Sequence, residues 1–337
     1  MTDDFGDGLV TRVSDDQPEL FFDRFVFNLH PTDAVVPSLV FGYGIHPRRD
    51  VVDGFVITSL ATEQRNLRFS SELTATGGAG AGPFRFEVVE PMLEWALSLA
   101  DNPTGVAFGL TWRARTPAWT GRVGVTTGGV ETAAFDHLFQ SGRYDGWLRV
   151  DGVERDVTGW WGQRDRSRGV RTMAGGQGLH LWVQAQLPDV SIGFLLVEGR
   201  DHSRLLLEGA VMHEDGVLDP ITDVRHRLVF DDGLDLRGGA LHVTTARGAT
   251  YLLDCDASAR GGYLAGGGYG GHHGRSLGVD HVEHDAYPLD GSVSPRTLDS
   301  ALVDRLTVFG CQGERGSGIF EFAHSRSSSY AYLPSLG

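Results

Sequence analysis

Seven Asp-Gly pairs punctuate the chain, beginning at Asp7, Asp53, Asp145, Asp151, Asp215, Asp232 and Asp290. Asp-Gly readily takes the positive φ that closes a two-residue hairpin. The runs beside these pairs are short and rich in β-branched and aromatic residues. Arg225-His-Arg-Leu-Val-Phe precedes Asp232-Gly233, and Tyr144-Asp-Gly-Trp-Leu-Arg-Val precedes Asp151-Gly152. Short runs joined by tight turns make meanders of antiparallel strands. Helical periodicity is scarce. Pro91 could open a helix, but Leu93, Trp95, Leu97 and Leu99 alternate strictly and predict a strand. Ala134–Gln140 reads as one helical turn. A chain of 337 residues is long for one barrel, and closure is the best way to hide sheet edges. The expected fold is therefore all-β: two consecutive antiparallel β-barrels or sandwiches packed together around apolar interiors, with little helix. Residues 1–22 form an arm on the outside, 23–187 the first β domain and 188–337 the second, with Gly77–Pro83 a loop in the first. A weak repeat, Gly162–Arg171 against Gly271–Asp280, supports two halves.

Composition excludes several chemistries. The net charge is −15 with no basic stripe, which argues against nucleic acid and anionic membranes as partners. All 29 basic residues are arginine, so Schiff-base chemistry and pyridoxal phosphate attachment are excluded. Cys255 and Cys311 are expected as reduced, buried thiols. The acidic N-terminus is unlike a signal peptide, and no apolar run reaches the ~20 residues of a membrane span. A cytoplasmic location is the expectation. Gly266–Gly271 does not fit a phosphate-binding loop. His272, His273, His281, Glu283 and His284 cluster in sequence, with His281, Glu283 and Asp285 on one face of a strand. Their spacing matches no standard metal motif, and an acid–base role for His281 or His284 suits them better. No metal, flavin or nicotinamide is expected.

The segment Gly159-Trp-Trp-Gly-Gln-Arg-Asp-Arg-Ser-Arg-Gly-Val-Arg171 is the densest in chemistry. Read as a strand, one face carries Trp161, Gln163, Asp165 and Ser167, and the other Trp160, Arg164, Arg166 and Arg168. A row of arginines is costly inside a barrel unless each is paired. The row is therefore expected to face solvent or the seam between the halves, with Asp165 turned inward to an aromatic cavity. Desolvation there would raise its pKa and let it deliver a proton. The alternative is an ion-paired strut.

Arg164-Asp-Arg-Ser-Arg-Gly-Val-Arg171 resembles the R-D-H-S-W-G-x-R signature of the carotenoid 1,2-hydratase (hydroxyneurosporene synthase) superfamily. Arg24-Phe-Val-Phe-Asn-Leu, Gly42-Tyr-Gly-Ile-His-Pro, Trp119 and Gly316-Ser-Gly-Ile-Phe-Glu-Phe agree with it. Arg166 and Arg168 stand where that signature has His and Trp, which puts the family's chemistry here in question. The resemblance implies two lipocalin-like β domains and a family spanning hydratases and Diels-Alderase-type cyclases. The expected function is a cofactor-independent lyase or isomerase acting on a hydrophobic, unsaturated terpenoid or polyketide. Asp165 would donate the proton, Gln163 orient it, and His180 carry a second proton. Trp95, Trp112, Trp161 and Trp182, with His281 and Glu283, would line the substrate site. The rivals are a pericyclase that only folds its substrate and a non-catalytic carrier of lipophilic ligands.

Overall fold

The computed structural model describes residues 8–127, 130–171, 177–258 and 261–337. Strands dominate and helix is confined to single turns. The first group runs β1 (Phe21–Leu29), β2 (Ser38–His46), β3 (Val51–Ser59), β4 (Glu63–Glu72), β5 (Gly80–Ala81) and β6 (Phe84–Glu90). It continues with β7 (Glu94–Leu99), β8 (Val106–Ala114), β9 (Trp119–Thr127), β10 (Val130–Val150), β11 (Val153–Asp156) and β12 (Trp160–Arg171). The second group is β13 (Gln177–Gln186), β14 (Val190–Gly199), β15 (Arg204–His213), β16 (Leu218–Phe230), β17 (Leu236–Thr245) and β18 (Thr250–Asp256). It ends with β19 (His281–Pro288), β20 (Val303–Cys311) and β21 (Glu314–His324).

The chain has the expected two-part, lipocalin-like, all-β architecture. A thirteen-stranded antiparallel sheet runs β19-β4-β3-β2-β1-β12-β10-β8-β7-β6-β5, with β9 and β11 also paired to β10. It curls until β5 lies against β3 and β4. The remaining eight strands close into a barrel, β13 to β18 with β20 and β21. The changeover falls between Arg171 and Gln177, ahead of the expected division at 187. β19 leaves the barrel sequence to pair with β4 on the first sheet.

Each unit packs its own interior. Phe25, Phe27, Phe41, Tyr43, Phe84, Trp95 and Trp112 fill the curled sheet, and Leu181, Val183, Phe194, Leu241, Phe309 and Phe320 fill the barrel. Burial of this much aromatic and branched surface is the main favourable term in such a fold. Cys255 and Cys311 are free and buried in the barrel. Leu9 of the N-terminal arm packs on the first core, and the Gly8 carbonyl accepts from Arg166 at 2.8 Å.

The local expectations fare unevenly. Asp151-Gly152 does form a two-residue turn, with both φ positive at 51° and 80°. Asp53-Gly54 and Asp145-Gly146 instead lie inside β3 and β10. Gly54 is needed because the Phe69 ring lies where a Cβ would stand, 2.4 Å away. Ala134–Gln140 is not a helical turn but part of the 21-residue β10, where pairing on both sides overrides local preference. Gly77–Pro83 joins a helical turn, Leu73–Thr76, to β5. The two copies of the weak repeat differ in structure, one in strand β12 and the other in a loop before β19.

Candidate active site

The outer face of the curled sheet meets the outer face of the barrel, and a cavity of about 430 Å³ lies between them. Phe22, Val26 and Phe135 line it from the sheet, and Trp182, Leu195 and Val197 from the barrel. The cavity expected inside a barrel is thus at the seam, because both interiors are already filled by large side chains. The sheet parity explains which residues reach it. On β1, Phe25 and Phe27 turn inward, so Phe22, Arg24 and Val26 face the seam. On β12, Asp165 and Ser167 share the seam face.

Arg164 and Arg166 take the opposite face, as parity demands, but that face is not solvent or seam. Both are fully buried inside the curled sheet. Arg166 makes two hydrogen bonds to Asp23, at 3.0 and 2.7 Å, and Arg164 stacks beneath Trp95 and Trp112. Carboxylate and π-face partners satisfy the condition under which guanidinium burial is tolerated.

Three polar clusters border the cavity. In the first, His137 of β10 stands between two carboxylates. Its Nε2 is 2.5 Å from Asp165 Oδ2, and its Nδ1 bonds Glu208, which reaches across from β15. Gly121 of β9 makes the crossing possible, since a Cβ there would sit 2.2 Å from Glu208 Oε2. Burial alone would lower the pKa of His137, but Asp165 and Glu208 outweigh it and raise the imidazole to about 10. At neutral pH the ring is an imidazolium that holds the two units together.

The second cluster belongs to the barrel. Asp304 of β20 lies directly opposite Glu321 of β21, and His180 Nε2 is 2.7 Å from Glu321 Oε1. Opposed carboxylates repel. Burial first, and then the neighbouring Glu321, push Asp304 well above the usual carboxylate range. Its surroundings thus favour the protonated form, and its Oδ1 has no hydrogen-bond partner among the described residues.

In the third cluster, Arg24, His46 and His273 line the cavity around the fully buried Asp53. Arg24 Nη2 and His46 Nε2 are each 3.2 Å from this carboxylate, and the Gly274 N–H donates to it at 2.5 Å.

Of the residues singled out from sequence, Asp165, His180 and Trp182 come together on this cavity. Trp95 and Trp112 lie in the first core, beneath Arg164. Trp161 is stacked under Arg115, and Gln163 is buried away from the cavity, its N–H donating to Asn28 Oδ1 at 3.2 Å. His281 and Glu283 sit on β19, where Glu283 pairs with Arg68 at 2.6 Å. His137, Asp304 and His273 also line the cavity, with Glu208 and Asp53 as the partners of the two histidines. Only His273 stood out in the sequence, as part of the histidine cluster. Among the described residues no group of three or more His, Cys, Asp or Glu is placed to hold a metal ion. Nor is any described helix long and apolar enough to cross a membrane.

The sequence profile of a family of unknown function (DUF8625) matches residues 9–246. The chain belongs to that family. No curated protein matches it. Among solved structures, an AttH candidate from Nitrosomonas europaea aligns over 92% of this DUF8625 chain and 94% of its own, with 14% identity and a TM-score of 0.53. Kievitone hydratase from Nectria haematococca aligns over 94% and 93%, with 12% identity and a TM-score of 0.48. CghA with Sch210972 aligns over 95% and 94%, with 11% identity and a TM-score of 0.46. The likeness to the AttH candidate extends over both units, so the two-part fold is shared throughout.

Proposed function

We propose that this protein is a cofactor-independent lyase or isomerase that protonates a hydrophobic, unsaturated terpenoid or polyketide in the seam cavity. One observation carries the reading: a buried carboxyl group, Asp304, faced by Glu321, lies on the wall of a cavity otherwise rich in aromatic and aliphatic side chains, and burial favours its protonated form. Oppositely disposed carboxyl groups in one pocket mark acid and charge-stabilising roles. Asp304 is the proton donor, and Glu321 with His180 resupplies it. Asp165, facing the cavity beside the His137 imidazolium, is better placed to offset positive charge on the substrate than to act as the acid. Trp182 lines the same cavity, where an aromatic ring would help to stabilise a developing carbocation.

The test is incubation with a panel of linear terpenoids and polyene polyketides in heavy water, with products read by mass spectrometry. The expected product carries one solvent deuterium on carbon, and Asp304→Asn forms none. A rearranged product free of solvent deuterium would replace this reading with a pericyclase. Recovery of bound but unchanged ligand would replace it with a carrier.

A further inference from the structure

Protonation at one carbon requires that a proton or a nucleophile be dealt with elsewhere on the substrate. The third cluster has the parts for this. His273 sits in the loop before β19, reaches over β3 and lines the same cavity as Asp304. Its Nδ1 is 3.3 Å from Asp53 Oδ1. An ionised carboxylate only accepts, so the ring proton belongs on Nδ1 and Nε2 keeps its lone pair. That Nε2 is buried and has no hydrogen-bond partner among the described residues. Tyr269 packs edge-on against the ring at 4.8 Å, and Phe55 lies at 5.9 Å, so its orientation is fixed.

We infer that His273, oriented by Asp53, is the proton acceptor of the cavity, and that its substrates carry a hydroxyl group or are attacked by water at this end. The inference rests on the cavity being the reaction site. A buried imidazole lone pair left unpaired is unfavourable, and an O–H donor from the bound molecule satisfies it. The step balances as an addition of O–H across a double bond. The π pair takes the Asp304 proton onto one carbon, the hydroxyl oxygen bonds the other, and the O–H proton passes to Nε2. Asp304 is left ionised and His273 protonated, and one proton returns between them through solvent. With water the result is hydration; with a hydroxyl of the substrate it is ring closure.

The charge environment keeps the ring neutral near pH 7, with its lone pair available. Burial first, and then Arg24, lower the pKa of His273 to about 4 despite Asp53. The titratable and charged groups facing it are Asp53 on β3, Arg24 on β1, His46 at the end of β2, and His272 in its own loop. Asp53 stays ionised throughout the neutral range. Burial alone would raise it, but His46 and His273 hold it well below the usual carboxylate range.

Two measurements on the full chain test the inference. Nitrogen-15 spectra of histidine-labelled protein should show His273 at pH 7 as the neutral tautomer protonated on Nδ1. Binding of geraniol should shift its Nε2 resonance. Geraniol should also bind roughly tenfold more tightly than its deoxy hydrocarbon, a preference lost in His273→Phe. An Nε2–H tautomer, an imidazolium at pH 7, or equal binding of the two probes would overturn the acceptor role and leave the cavity reading standing. If the tautomer is as stated but neither probe binds, the cavity reading fails, and the inference with it.

Discussion

Asp304 and Glu321 place two carboxyl groups on one rung of a ladder, an arrangement that works against the fold. Asp304→Asn removes the cost of holding a buried carboxyl in its protonated form and keeps the shape. It should abolish product formation while leaving stability unchanged or raising it by about 1 kcal/mol, read from urea midpoints. His137 has the opposite character. Its folded pKa, about 10, lies above the ordinary imidazole value, so the folded state holds a proton that the unfolded chain releases. The stabilisation is complete below about pH 6.5 and is lost as pH rises toward about 10. Melting temperature should therefore fall between those limits, and His137→Gln should flatten the fall. Neither residue announced itself in the sequence. The pairing of Asp304 with Glu321 depends on strand register, which a run of alternating residues does not specify. His137 lay in a segment read as a helical turn, although Phe135, His137 and Phe139 already alternate as a strand does.

Strand β12 shows what parity settles and what it leaves open. Period two separates Asp165 and Ser167 from Arg164 and Arg166 correctly. It does not say which face is inside. The deciding partner, Asp23, lies on β1, opposite Arg168 in the ladder and diagonal to Arg166. Asp23→Asn should leave a fully buried guanidinium short of its carboxylate and cost about 3–5 kcal/mol. Asp165→Asn should cost less, because Glu208 remains beside His137; paired urea titrations would compare the two. On β9, Gly121→Ala should displace Glu208 and cost about 1–3 kcal/mol, and much of that cost should vanish when His137 is already Gln. Asp53 was hidden for a related reason. Asp53-Gly54 looks like a turn, yet its glycine serves the Phe69 ring and its aspartate organises a cluster across β1, β2 and β3.

At the scale of the molecule, the expectation of two β units was correct, and the expectation of a cavity within one of them was not. Sequence shows which residues are apolar, but not whether an interior has room to spare. Here both are full, and the usable space lies between them. Two apolar clusters at the seam, around Phe139 with Met212 and around Phe55 with Leu306, join the units together with the His137 bridge. The chain should accordingly unfold in a single transition, with circular dichroism and tryptophan fluorescence coinciding; two separated transitions would show independent units. The return of β19 to β4 gives this seam a further property. Because the barrel's own chain is stitched into the opposite sheet, each unit meets the other at the high effective concentration of a tethered pair. Dilution cannot take the site apart, and changes to one wall of the cavity are buffered by a partner that cannot diffuse away. A site divided between two such surfaces can therefore accept substitutions in its lining that would dissociate an untethered complex.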